Sequence, residues 1–159
     1  MQAFNCQCGN PLFFENTHCV ACESEVGWCP ACSNIVALAP LEGGGYRCTH
    51  EGCGTLLMKC HNYAVENVCN RMVIMTEGEA DTLCDCCRYN DVIPDLNVEG
   101  HRERWAALEA AKRRLFHTLE ILKLPHGTQG DDIRVPLSFS FMADALPDKG
   151  LWRSTANQE

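Results

Sequence analysis

Thirteen cysteines lie between positions 6 and 87 of this 159-residue chain, and none follows. They stand at 6, 8, 19, 22, 29, 32, 48, 53, 60, 69, 84, 86 and 87, mostly as close pairs. Thiols at this density end up in disulfides, on metal ions or in a core as small apolar side chains. The start, MQAFNCQCGN, has neither the basic region nor the apolar stretch of a signal peptide. No Asn-x-Ser/Thr acceptor occurs, and thirteen is odd, whereas a disulfide framework favours an even count. The longest uncharged run, Val26 to Leu41, contains Pro30, Asn34 and Pro40 and makes no transmembrane helix. These features predict a reduced, cytoplasmic, metal-binding chain without a membrane segment.

Read consecutively, the cysteines form three quartets. Cys6-x-Cys8 meets Cys19-xx-Cys22 after ten residues, and Cys29-xx-Cys32 meets Cys48-x4-Cys53 after fifteen. Cys60 and Cys69, eight residues apart, meet Cys84-xx-Cys87 after fourteen. Two knuckles joined by ten to twenty residues suit a zinc ribbon: each knuckle turns two thiolates toward one metal, and a hairpin between them returns the chain. The intervening residues agree. Pro11 to Glu15 predicts a short strand, Gly43-Gly44-Gly45 a turn, Tyr46 to Cys48 a returning strand, Arg71 to Thr76 a further strand, and Glu77-Gly78-Glu79 a turn. Three zinc ions are expected.

A cross-brace competes with this arrangement. It would join Cys6 and Cys8 to Cys29 and Cys32, and Cys19 and Cys22 to Cys48 and Cys53. His18, His50 and His61 lie beside ligand cysteines and could replace one, though a surface or supporting role is the ordinary reading. Cys86 is left over between ligands, read as a spare or alternative ligand in preference to a catalytic thiol.

Charge bears on partners. The formal net charge is -8. Residues 1–98 hold four Lys/Arg against twelve Asp/Glu, and residues 99–159 hold nine of each. Three tetrathiolate zinc sites would bring the total to roughly -14. Such a chain is a poor partner for nucleic acid. Hydrophobic residues make up 46%, but the cysteines are counted among them, so the apolar core should be thin and the metals needed as staples.

His50-Glu51-Gly52-Cys53-Gly54 begins like the HExxH of a zinc protease and stops short. Its fifth position is Gly, and its two glycines and cysteine make a poor helix. HExxH works by placing two imidazoles on one helical face. No catalytic residue is expected.

Beyond Glu99 the pattern changes. Gly100 to Lys123 predicts one helix, with Trp105, Leu108, Ala111, Leu115, Leu119 and Leu122 as its buried stripe and Pro125 and Gly127 ending it. Arg102, Glu103, Glu109, Lys112, Arg113 and Glu120 fall largely off that stripe. The run Lys112-Arg113-Arg114 reads as a solvated face, with the acidic ribbons as an available partner. Val135, Leu137, Phe139 and Phe141 then alternate with polar residues and predict a half-buried strand. A lone strand should fold back on the helix or pair with a second chain. Pro147 to Gly150 leads to a polar end.

The expected fold is a small zinc-stabilised α+β chain. It comprises zinc ribbons over 1–24, 25–56 and 57–98, an amphipathic helix over 99–125, and a loop, strand and tail over 126–159.

Several stretches also carry a resemblance: CQCGNPLFFENTHCVAC (6–22), KCHNYAVENVCN (59–70), LCDCCRYNDVIPDL (83–96), ERWAALEAAKRRL (103–115) and FSFMAD (139–144). Together they resemble the bacterial family of zinc-binding metallopeptidases that open with a zinc-ribbon region. The resemblance implies that Cys60, Cys69, Cys84 and Cys87 act together. The 29–53 quartet rests on spacing instead, and the first knuckle is CxC where CxxC is usual. In the family a longer segment with an HExxH-type helix follows. This sequence reaches only the FSFMAD strand, so the expectation is a non-enzymatic recognition or regulatory region, or a stand-alone adaptor. Its partner would be a protein or the peptidase part itself.

Overall fold

The computed structural model describes residues 3–76, 82–144 and 154–155. The expected turn at Glu77-Gly78-Glu79, the Pro147 to Gly150 segment and the chain after Thr155 lie outside the described residues. The chain divides into two compact units, 1–85 and 86–159.

The first unit opens with a hairpin. β1 (Ala3–Asn5) pairs antiparallel with β2 (Pro11–Phe13), and Phe4 faces Leu12 across it. Both are buried while their neighbours are exposed, the two-residue alternation of a one-sided strand. β2 is shorter than the expected Pro11 to Glu15. The Asn16 carboxamide oxygen accepts the Phe13 N–H at 2.6 Å and turns the chain there.

β3 (Val26–Cys29), β4 (Asn34–Pro40), β5 (Tyr46–Cys48), β6 (Leu56–Lys59) and β7 (Met72–Ile74) form one antiparallel meander. The Trp28 N–H donates to the Asn70 carbonyl at 2.7 Å, bringing the two edges of the sheet together. Gly27 makes that approach possible, since a Cβ there would lie 2.9 Å from Met72 Sδ and 3.1 Å from Asn70 O. The β4–β5 turn uses Gly44 and Gly45 at φ of 90° and 80°, where side chains are strained.

Trp28 organises the core of this unit. Phe4 and Phe14 meet its ring edge-on at 6.0 and 5.4 Å, and the Arg71 guanidinium lies 5.1 Å from its centroid. Leu12, Val26, Ile35 and Ala37 complete the cluster, with Cys6 and Cys19 among them. Polar side chains tie separate segments together. The Asn70 amide donates to the carbonyls of Phe14 (2.8 Å) and Asn16 (3.2 Å), and the Tyr63 hydroxyl donates to that of Val26 (2.8 Å). The buried Arg71 pairs with Asp85 at 2.7 Å. Burial pushes the Tyr63 phenol above its ordinary pKa.

The second unit is built on α2 (His101–Ile121). Gly100 precedes it at φ 81°, and His101 Nδ1 lies 2.9 Å from the Asp95 carbonyl. The helix closes in a Schellman arrangement, with Lys123 left-handed at φ 52° and bonds Lys123 N to Glu120 O (3.1 Å) and Leu124 N to Leu119 O (3.0 Å). Pro125 follows and cannot extend it. β8 (Asn90–Val92) pairs in parallel with β9 (Phe139–Ser140), and β10 (Ala143–Asp144) pairs antiparallel with β11 (Ser154–Thr155).

Two expectations are corrected here. The buried face of α2 is not the leucine stripe. His101, Trp105, Glu109, Lys112, Arg113 and Phe116 are buried, whereas Leu108, Leu115 and Leu122 are 50%, 43% and 60% exposed. Lys112 and Arg113 therefore do not belong to a solvated face. The predicted strand from Val135 to Phe141 is reduced to β9. Pro136 offers no N–H, the Leu137 N–H goes to the Gly127 carbonyl at 2.8 Å, and Val135 is 75% exposed. The segment does fold back on the helix, though through other residues. Phe139 lies 6.0 Å from Phe116, and Lys112 Nζ lies 5.6 and 5.5 Å from the rings of Phe139 and Phe141.

Candidate metal centres

The structure gathers twelve of the thirteen cysteines into three sets: Cys6, Cys8, Cys19 and Cys22; Cys29, Cys32, Cys48 and Cys53; and Cys60, Cys69, Cys84 and Cys87. Within each set all Sγ atoms lie within 4.8 Å of one another. The grouping is sequential, not cross-braced. None of the thirteen cysteines is in a disulfide.

The spacing of the sulfurs tests the fit to zinc. Four thiolates at about 2.3 Å from one tetrahedral zinc stand about 3.8 Å from each other. The observed separations are 3.7 Å for Cys6–Cys22, 3.6 Å for Cys8–Cys19, 3.9 Å for Cys29–Cys53, 3.8 Å for Cys32–Cys48 and 3.8 Å for Cys69–Cys84. An all-sulfur tetrahedron is a zinc or iron donor set, and it leaves no position for water.

The knuckles explain how the backbone prepares these sites. Amides two residues on point back at the sulfur: Cys8 toward Cys6, Asn10 toward Cys8, Ser24 toward Cys22, His50 toward Cys48 and Thr55 toward Cys53. Arg71 N does the same to Cys69 at 3.3 Å, and Cys84 N lies 3.4 Å from Cys60 Sγ. Such N–H groups stabilise thiolate charge. Gly9 at φ 84° closes the tight CxC turn.

The thiols of each set are unequal in acidity. The Ser24 hydroxyl, 3.3 Å away, and the Ser24 amide draw Cys22 down to about 6. Burial works against Cys53, but the Thr55 hydroxyl and amide carry it down to about 7. Burial pushes Cys6 and Cys32 up to about 12. Zinc, which needs every ligand deprotonated, must displace protons from these buried members.

The eight-residue gap between Cys60 and Cys69 is taken up by α1 (His61–Ala64). The amides of Tyr63 and Ala64 return to the Cys60 carbonyl at 2.8 and 2.9 Å, and Val68 N–H reaches Asn62 O at 2.9 Å. The four cysteines of this set are all buried, whereas Cys8 of the first set is exposed. Cys86 is fully buried but outside the quartet. His18, His50 and His61 join none of the three sets. The HEGCG stretch is a knuckle, not a helix, since Cys53 N–H bonds to His50 O at 3.0 Å and both glycines have positive φ.

Against this geometry, a family model for a zinc-ribbon domain matches residues 3–98. This chain belongs to the zinc-ribbon family. A second model, described as "Putative zinc-binding metallo-peptidase", matches residues 101–156. Among curated proteins, uncharacterized proteins of Mycobacterium bovis and of two strains of Mycobacterium tuberculosis are each 29% identical over 147 residues, covering 91% of this chain. The chain spans 38% of the length of those relatives. No solved structure matches.

In the second unit lies a polar cluster that the sequence reading passed over. Glu109 Oε1 accepts from Asn90 Nδ2 (2.8 Å), Trp105 Nε1 (3.1 Å) and Lys112 Nζ (2.8 Å), and Glu109 and Lys112 are 0% and 1% exposed. Lys112 also donates to Asn90 Oδ1. The Cys87 thiol lies 3.9 Å from Glu109 Oε2. The spacing of Trp105, Glu109, Lys112 and Phe116 was the available signal, because steps of four, three and four keep one helical face.

Proposed function

We propose that this chain is a structural zinc-binding recognition or regulatory region, similar to the N-terminal part of a zinc-dependent metallopeptidase and without hydrolytic activity of its own. The observation that carries the reading is the tetrahedral spacing of the sulfurs in the quartets. Four thiolates close the coordination sphere, so each zinc would supply folding energy and no Lewis-acid or hydroxide chemistry. Structural sites of this kind contribute on the order of 10 kcal/mol. The thiol-rich composition fits a reducing compartment, and we place the chain in the cytoplasm. Among the described residues no helix is long and apolar enough to cross a membrane.

Any peptidase activity of the longer relatives would then reside outside the region they share with this chain. The test is elemental analysis of purified protein under reducing conditions, alongside a peptidase assay with casein. Three zinc ions per chain and no cleavage are expected. One zinc or fewer removes the three-site reading. Proteolysis that persists through repurification, depends on metal and survives Cys→Ser changes removes the non-enzymatic one.

A further inference from the structure

The three cysteine sets differ in how far solvent reaches them. In the third all four members are buried, and in the second Cys29 and Cys48 are buried while Cys32 and Cys53 are half-buried. In the first, Cys8 is exposed, and both knuckle tips stand in water: Gln7 and Gly9 flank Cys8, and Val20, Ala21 and Glu23 lie around Cys22, all of them exposed. Cys8 Sγ lies 3.6 Å from the Sγ of the buried Cys19. An accessible thiolate with a second sulfur close by is the arrangement that thiol oxidation sensors use. The same set reaches the interior, because Cys6 and Cys19 belong to the core cluster of Phe4, Leu12 and Trp28. A change at the exposed sulfur is therefore passed to the packing of the β1–β2 hairpin.

We propose that the first quartet is a peroxide-sensitive switch, in which oxidation at Cys8 forms a disulfide within the set and releases its zinc. This rests on the structural-zinc reading. Cys8 Sγ attacks one oxygen of hydrogen peroxide. The O–O bond breaks, the sulfur keeps an OH group, and the other oxygen leaves as hydroxide and takes a proton to become water. A neighbouring thiolate, with Cys19 the nearest measured, then attacks that sulfur. The S–S bond forms and the OH group departs with a second proton as a second water. Two sulfurs lose two electrons and the peroxide gains them. With two of its four donors spent, the set no longer holds its metal, which leaves as Zn(II). The buried third set gives peroxide no such entry, so release is confined to the exposed end of the chain.

The experiment uses the full zinc-loaded chain, freed of reductant and treated with hydrogen peroxide at about two equivalents per chain. A chromogenic zinc indicator should report one zinc ion released per chain, with two retained. Peptide mapping of the oxidised protein should show Cys8 joined to another member of its own set. NMR should show shifts at the amides of Phe4, Leu12 and Trp28 and none in β6 and β7. Dithiothreitol with added zinc should restore the starting spectrum. Cys8→His keeps a zinc donor but removes the exposed sulfur, and it should slow release at least about tenfold. If that variant starts with only two zinc ions, the disulfide map of the unaltered chain decides alone. Release of all three ions together, no release at all, a disulfide that omits Cys8, or failure to rebind zinc after reduction overturns the proposal. So does a Cys8→His chain that binds three zinc ions and loses one as fast as the unaltered chain. Zinc content before peroxide is read separately: three ions without peroxide release remove this inference alone, and a starting content of one ion or fewer removes the structural-zinc reading.

Discussion

Replacing Lys112 by Met tests whether the second unit is held by a buried ion pair. Glu109 and Lys112 are 0% and 1% exposed and 2.8 Å apart. Lys112→Met keeps most of the apolar stem against Phe139 and Phe141 but leaves the Glu109 carboxylate buried without its cation. Two neutral donors remain, from Asn90 and Trp105. Removing one partner of a buried pair costs about 3–5 kcal/mol. Glu109→Gln with Lys112→Met removes both charges and keeps an amide oxygen to accept from Asn90 and Trp105. Its cost should be only about 1–2 kcal/mol, since exchanging a whole buried pair for neutral groups is close to neutral. Urea unfolding of zinc-loaded protein, followed by helical circular dichroism, gives both numbers. If Lys112→Met costs less than about 1 kcal/mol, or the double variant is worse than the single, the pair does not carry the weight assigned to it.

Other consequences follow from burial and bonding. A chromogenic chelator should draw zinc from the first quartet, where Cys8 is exposed, before the fully buried third; three zinc ions leaving in one kinetic phase would contradict this. Acid should speed the loss, because protons compete for every thiolate. Cys19→Ser should empty the first site and leave two zinc ions bound, whereas a loss of two ions would mean the sites share structure more deeply than their sequential grouping. Asn70→Ala removes the amide donors to Phe14 and Asn16 and should cost about 1–3 kcal/mol, with NMR shifts concentrated in the β1–β2 hairpin. Phe139→Asp should detach β9 from Phe116, read as faster exchange of the Phe141 amide, which donates to Val92 O at 2.9 Å. Unchanged protection there would show that the ring contact is incidental.

The cysteine spacing left a cross-brace open, and the grouping of Cys60, Cys69, Cys84 and Cys87 came from the family resemblance; the structure decides for the sequential sets. The spacing did point to the first two quartets, because a knuckle fixes its geometry within four or five residues. The hairpin turn at Gly44 and Gly45 was readable for the same reason. The meander that joins β3 through β7 was not, since its pairings depend on contacts such as Trp28 with Asn70, which are 42 positions apart. The existence and length of α2 were also evident from the run between Gly100 and Pro125. Its orientation was misread because leucines were assumed to face inward and charged residues outward.

That assumption fails here for a physical reason. In a chain stabilised chiefly by apolar burial, the most hydrophobic face of a helix must be the buried one. Where closed thiolate sites each contribute on the order of 10 kcal/mol, that constraint is relaxed. The core can then admit Arg71 against Trp28, Asn70 against two carbonyls, and Glu109 with Lys112, provided each finds partners. Buried polar groups of this kind fix which segments meet, because misregistered packing would strand them. Leu108, Leu115 and Leu122 are correspondingly left outside the core. Hydrophobic periodicity in such a chain marks a helix but does not decide which of its faces is buried.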